Sequence, residues 1–357
     1  MSTRETLSLA TRRSDLALRQ SASVQSVLED YRYNVELLEV ETTGDQIRDE
    51  LIQNLGKTGA FVRSLDERVL SSEADAAVHS MKDVPTDMPD ELTIAAIPER
   101  ERRNDVLVSP DGAAIDDLPS NATVGTSSLR RKAQLLAVRP DIDVQPLRGN
   151  VDTRIKKLLA PSLQAEHEKR LEAEESDDDT GESFDQDLDE WFNGLAEIER
   201  EALEQEVSTE YDAIVLAEAG LRRSGLLRHL NYQRLPESDF VPAPGQGAIA
   251  VSAADKDVIE IIRTHLDDAV SRTEVIVERT ILSELGGGCV APLGISAVVQ
   301  GQYVHTTVHV LSQDASDVIL EARDLPIERH REAAIEFANS LREKGAADII
   351  EAAKKQY

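Results

Sequence analysis

The sequence predicts an α/β fold of two sheets followed by a smaller α+β unit, and three observations predict it. Short β-branched runs alternate with amphipathic stretches from Leu7 onward, the rhythm of strands covered by helices. The 357 residues exceed the roughly 150 of an ordinary domain, so more than one core is expected. Beyond Asp267 the rhythm changes to one helix, three runs of antiparallel type and a terminal helix.

The elements follow in order. Leu7–Thr11 (LSLAT) reads as a strand, Leu16–Tyr31 as an amphipathic helix, VELLEVET from Val35 as a second strand, and about Gly59–Ser72 as a second helix. Further strands are expected at Asp75–Val78, Leu92–Ile97, Asp105–Ser109, Thr123–Gly125, Val144–Leu147 and Asp212–Leu216, with helices beginning near Ser128 and Val151. The charged run Glu99–Asp105 (ERERRND) and the proline- and glycine-rich run Val241–Gly247 (VPAPGQG) read as interdomain hinges, the second leading into another strand-like run. The last unit has a helix through Leu285, strands at Gly294–Gln300, Tyr303–Ser312 and Val318–Arg323, and one helix from Ile327 to about Lys355. From about Pro161 to Glu210 acids crowd together (SDDDTGESFDQDLDE). That stretch reads as an insertion, a solvated and partly disordered loop ending in a helix from Trp191 to Val207, or else a regulatory or partner-binding segment.

Composition narrows the function. Hydrophobic residues at 40% and charged residues at 30% are globular values, whereas 3% aromatics leave little for stacking bases. A net charge of -29 repels phosphate backbones and anionic lipid, so neither nucleic acid nor membrane is an expected partner. The same acidic excess suits a halophilic source, where salt screens self-repulsion. The N-terminus lacks a basic segment followed by an apolar stretch, and a cytoplasmic chain is expected. The single cysteine, Cys289, rules out an internal disulfide.

Against that acidic background, clusters of basic and small polar residues at strand ends stand out. Thr11–Ser14 (TRRS), Val124–Lys132 (VGTSSLRRK) and Leu147–Arg154 (LRGNVDTR) place Arg12, Arg130, Arg131, Arg148 and Arg154 near helix starts, where amide groups favour an anion. Each alone reads equally as a solvated basic patch; together they predict a cleft for a polyanion. Ala77–Pro85 (AVHSMKDVP) puts Ser80, Lys82 and Asp83 at the end of a strand, where α/β sheets meet ligands, although Ser80 or Asp83 also suits a helix cap. Cys289 lies in LGGGCVAPLG, whose glycines present a thiol or simply make a tight turn. No phosphate-binding loop or dinucleotide fingerprint is present.

With TRRSDLAL, TTGD, YDAIVLAEAGL and PAPGQGAIA added, these motifs resemble, in order and arrangement, the hydroxymethylbilane synthase family, also called the porphobilinogen deaminases. The resemblance runs from about Leu7 into the last unit, leaving out the acidic insertion. It implies two periplasmic-binding-protein-like α/β domains around a cleft, residues 1–99 with 246–266 and residues 104–241, and a third α+β domain, 268–357, with a three-stranded antiparallel sheet. It implies a monomer that deaminates porphobilinogen and joins four units into hydroxymethylbilane, with no metal. Cys289 would carry a dipyrromethane cofactor through a thioether, and Asp83 would stabilise the cation formed when porphobilinogen loses ammonia. Lys82, Ser128, Arg130, Arg131 and Arg154 would hold the cofactor's acetate and propionate groups, with Ser80, Gln20 and Gln246 added. Arg12, Ser14, Thr126, Arg148 and again Arg154 would meet the incoming substrate. Asp15, Thr58 and Gly286 depart from the family's common pattern. Two rivals remain: a binder of organic anions, and a thiol hydrolase or transferase pairing Cys289 with His79.

Overall fold

The computed structural model describes residues 6–41, 60–175, 184–287 and 291–355. Strand β1 (Thr6–Arg12) pairs in parallel with β2 (Asn34–Val40) and with β3 (Ala76–Ser80), and β4 (Thr93–Ala96) completes the part of the first sheet drawn from the chain's start. Period-two alternation explains β1: Leu7 and Leu9 face helix α1 (Asp15–Asp30) through Val24 and Leu28, whereas Ala10 faces helix α2 (Ala60–Leu70) through Leu65. The predicted TTGD run and Thr58 lie outside the described residues.

The second sheet starts with β5 (Asp105–Val108) and β6 (Thr123–Gly125), followed by helix α3 (Leu129–Val138), β7 (Asp143–Gln145) and helix α4 (Val151–Glu175). Two short helices, α5 (Leu188–Gly194) and α6 (Glu197–Leu203), precede β8 (Ala213–Ala217), helix α7 (Glu218–Ser224) and the edge strand β9 (Tyr232–Arg234). Strand order is β7-β6-β8-β5-β9, with β5 antiparallel to both neighbours. The chain then returns: β10 (Ile249–Ala253) inserts antiparallel between β3 and β4, giving the first sheet the order β2-β1-β3-β10-β4, and helix α8 (Lys256–Leu266) packs on it. Two chain crossings therefore join the sheets, residues 97–104 and 241–248.

Helix α9 (Ala269–Glu284) leads into an antiparallel sheet of β11 (Leu293–Gln300), β12 (Tyr303–Leu311) and β13 (Val318–Pro326). Helix α10 (His330–Glu343) seals that sheet with Phe337 and Leu341, both fully buried beside Val277 and Ile281 of α9. Each such side chain contributes about 1.5–3 kcal/mol of burial.

Helix α9 also ties the two crossings together. Its buried Glu278 takes both Nη atoms of Arg100 at 2.8 and 3.0 Å and the amides of Gly245 at 2.7 Å and Ala297 at 2.9 Å. Glu274 takes Arg103 Nη2 at 2.9 Å and the Val299 amide at 3.0 Å. Buried charges persist only when paired and hydrogen-bonded in this way. Close backbone approach completes the joint: a Cβ on Gly294 would lie 2.4 Å from the Val241 carbonyl oxygen. Gly294→Ala is therefore expected to lower stability by about 1–3 kcal/mol, read as the urea midpoint; an unchanged midpoint would mean that the second crossing yields.

Two expectations are corrected. The acidic insertion is not simply a solvated loop, because α4 continues through Pro161 to Glu175, and Ile198 and Ala202 of α6 are buried, Ile198 packing beside Ile155 and Leu158. An apolar pair four residues apart gives α6 a buried face that charge density concealed. The helix expected over Trp191–Val207 is instead α5 and α6, parted where Leu195 and Ala196 adopt extended backbone. The terminal helix is likewise split: a 3-10 turn at Ile327–Arg329 opens it, and Gly345, at φ +93°, separates α10 from α11 (Ala346–Lys355).

Candidate active site

The strands carrying the predicted site residues end along the edges where the two sheets approach. After β3 a single 3-10 turn, Met81–Asp83, presents an exposed Lys82 and a half-buried Asp83. Its position is fixed from behind. Buried Met81 gives its amide to Ala248 at 3.0 Å, and a Cβ on Gly245 (φ +75°) would fall 2.6 Å from Met81 Cγ. Arg279 of α9 donates to the carbonyls of Val84 at 2.7 Å and Pro85 at 2.6 Å. The Asp83 turn is thus gripped by the second crossing and by the third unit. Ser80 is half-buried and precedes the turn without a side-chain cap bond. Arg12 ends the neighbouring parallel strand and leaves the sheet at the same edge. Ser14 stands at the start of α1 without a side-chain cap bond, and Gln20 is buried within that helix.

The facing wall comes from the second sheet. Beyond β6, buried Thr126 accepts the Ser128 amide on its Oγ1 at 3.2 Å, and Ser128 caps α3 by accepting the Arg131 amide at 3.4 Å. Arg148 and Arg154 flank the start of α4; Arg154 Nε donates to the Gly149 carbonyl at 2.8 Å. Gly149 is required there, since its φ is +116° and a Cβ would meet Thr153 at 2.7 Å.

Electrostatics show which of these groups converge. Lys82 is reached by water yet ringed by protein; desolvation holds its ammonium below the ordinary lysine range, with Arg131 and Arg154 adding to the shift and Asp83 and Asp105 opposing it. Arg154 is pushed down to about 10 by desolvation first, then by the charges of Arg131 and Arg148. Lys82 and Asp83 from one sheet therefore lie near Arg131 and Arg154 from the other, with Arg148 beside Arg154, a set of cations with two carboxylates, Asp83 and Asp105, among them. Such a set suits a ligand with several carboxylates.

Arg130, Arg131 and Gln246 are buried together at the joint between the crossings, where all three meet Asp105, a residue the sequence reading placed only at the start of a strand. A lone aspartate opening the otherwise apolar run DVLV was the signal available. His79 points away from the cleft: its Nε2 lies 3.0 Å from Asp66 Oδ1 and 3.1 Å from Ser252 Oγ, all three buried. Cys289 lies outside the described residues. The chain leading to it is defined, with Gly286 at φ +65° ending α9 and accepting Lys354 Nζ on its carbonyl oxygen. At Gly287 a Cβ would fall 2.7 Å from Leu282 Cδ1. Among the described residues no group of three or more His, Cys, Asp or Glu could hold a metal ion, and no helix is long and apolar enough to cross a membrane.

Two α/β sheets whose strand ends carry cations, with a third unit built on an antiparallel sheet, define a three-part α/β class of protein that presents basic groups within an acidic chain. Residues 7–166 and 195–260 match the porphobilinogen deaminase dipyromethane cofactor binding domain, and residues 272–344 match the porphobilinogen deaminase C-terminal domain. The chain is 48% identical to the probable porphobilinogen deaminase of Halobacterium salinarum over 98% of both chains. It is 35% identical to the probable porphobilinogen deaminase of Methanococcoides burtonii, over 97% of this chain and 96% of that one. It is also 35% identical to the porphobilinogen deaminase of Nitratiruptor sp., over 98% and 97%. Among solved structures, the periplasmic aliphatic sulphonate binding protein SsuA from Escherichia coli aligns over 95% of this chain and 88% of that one, at 11% identity and a TM-score of 0.33. The chain belongs to the porphobilinogen deaminase family. Residues 167–194, within the acidic insertion, fall between the two matched segments of the first domain.

Proposed function

We propose that the chain deaminates porphobilinogen and joins four units head to tail on a dipyrromethane primer held through Cys289, then releases linear hydroxymethylbilane by hydrolysis. The observation that carries this reading is the convergence of Lys82 and Asp83 with Arg131, Arg148 and Arg154 across the two sheets. The dipyrromethane group of the matched domain fits this site, because its acetate and propionate carboxylates would offset the desolvation, and the repulsion from Arg131 and Arg148, that together hold Arg154 down to about 10. When bound, the group supplies the carbon from which the chain is extended. Asp83 places a fixed negative charge where positive charge develops as ammonia leaves, stabilisation that costs no reorganisation at the moment of reaction. Lys82 and Arg131 hold carboxylates beside it with Ser128, while Arg148, Arg154 and Arg12 receive those of the incoming substrate with Ser14 and Thr126 nearby. Ser80, just before the Asp83 turn, and Gln20, within helix α1, would add contacts to the cofactor, as would Arg130 and Gln246.

On this reading the three units are 1–99 with 246–266, 104–241 and 268–357, and the enzyme works as a cytoplasmic monomer. The test is direct. Purified protein given porphobilinogen should release ammonia and a linear tetrapyrrole at four substrates to one product, and release of neither would remove the proposal.

The same site predicts the alkaline limit. Lys82 binds carboxylates only while protonated, and its folded pKa is depressed, so the cation is lost below the ordinary value of about 10.4. The KM for porphobilinogen should rise along the alkaline limb, and Lys82→Arg should move that limb to higher pH. Coincident limbs in the two proteins would exclude Lys82 as the titrating group.

A further inference from the structure

Helix α9 turns one face to the first sheet. Arg272, Val275 and Arg279, at spacings of three and four residues, lie along that face. Val275 is buried with Met81 and Val84, the residues on either side of Lys82 and Asp83. Arg272 donates Nη2 to the carbonyls of Ala95 at 2.9 Å and Ile94 at 3.3 Å in β4, and Nε to Asp267 at 2.6 Å. Further along the same face, Arg279 donates Nη1 to the Val84 carbonyl at 2.7 Å and Nη2 to the Pro85 carbonyl at 2.6 Å.

The two arginines differ in what they hold. Arg272 grips a strand that is already fixed by its pairing with β10. Arg279 grips a segment that cannot fix itself. The 3-10 turn Met81–Asp83 ends at Val84, whose backbone is extended, and Pro85 has no N–H with which to continue the turn. Carbonyls in such a segment must be met from elsewhere, and two successive ones are met here by one planar fork of donors.

We infer that Arg279 is a positioning residue for Asp83: it fixes the turn that carries the carboxylate against α9, so that the negative charge stands ready where positive charge develops. A fixed charge stabilises a transition state only while its place is held, and a displacement of about 1 Å can cost a factor of about 10². The turn is bound from one side by the Met81 amide on Ala248 and from the other by Arg279. Removing the arginine therefore loosens Asp83 while the sheet behind it stays paired. This inference rests on the function proposed above.

Arg279→Gln in the holoenzyme is the test. Arg272→Gln is the comparison, since it removes a guanidinium from the same helix face without touching the Asp83 turn. Arg279→Gln should lower kcat at least about tenfold and leave KM for porphobilinogen within about threefold, because the arginines proposed to receive substrate, Arg12, Arg148 and Arg154, lie off this turn. Arg272→Gln should lower the thermal midpoint and leave kcat within about twofold. A readout independent of turnover is amide hydrogen exchange across Met81–Val84 in protein given no porphobilinogen. Exchange there should quicken at least about tenfold in Arg279→Gln and match wild type in Arg272→Gln. Should Arg279→Gln fail to fold, Arg279→Lys keeps the charge but has no fork to span two carbonyls, and it should show both effects in smaller measure. A kcat loss shared equally by the two glutamine variants, unchanged exchange across the turn, or an Arg279→Lys protein indistinguishable from wild type would overturn the positioning role. Wild type that leaves porphobilinogen unchanged would overturn the proposed reaction, and the exchange comparison would still decide whether Arg279 holds the turn.

Discussion

Asp83→Asn should lower turnover by a factor of about 10²–10³, the loss typical of removing one preorganised electrostatic partner of a transition state. The turn that carries Asp83 is held by the Met81 amide on Ala248 and by Arg279 on the carbonyls of Val84 and Pro85, none of which involves the Asp83 side chain. The substitution should therefore leave the thermal midpoint nearly unchanged while the chemical step slows. Asp83→Glu makes the complementary test, because it keeps the charge and moves it by one methylene. If position matters as well as sign, it too should be slow, with bound intermediates accumulating in the intact mass spectrum. Near-normal single-turnover rates in both variants would take Asp83 out of the mechanism.

Cys289→Ala should abolish cofactor attachment. Intact mass of the wild-type protein before substrate is added should exceed the sequence mass by two pyrrole units, and the variant should show the bare chain. Turnover should fall below detection, since nothing then anchors the primer. Folding should survive, because Phe337, Leu341, Val277 and Ile281 are buried together in the third unit's core. A thioether adduct retained in the variant would disprove the assignment.

Much of this was legible in the sequence, for reasons that can be named. Strands such as β1 and β12 declare themselves because burial alternates with a period of two, and the proline- and glycine-rich run Val241–Gly247 marks a crossing because little else tolerates its backbone. Lys82, Asp83 and the arginines were visible as strand-end clusters. That Arg130 and Arg131 share the buried Asp105 was not legible, because the partner lies 25 residues away in sequence from Arg130 and opens an otherwise apolar strand. Edge strand β9, three residues long and partly polar, carries no periodicity to detect. Gly345 was present in the sequence, but a single glycine near a helix end signals a stop only once its left-handed backbone is seen.

Helix α9 has one consequence for chain growth. The element whose Glu274 and Glu278 bolt down both crossings is the same element that runs directly into Gly286 and Gly287 at the foot of the cysteine loop. On the proposed function, the chain that leads to the cofactor cysteine is therefore anchored as far as Gly287, and room for a lengthening product would have to come from the two lobes, like a ruler laid out from the last held residue.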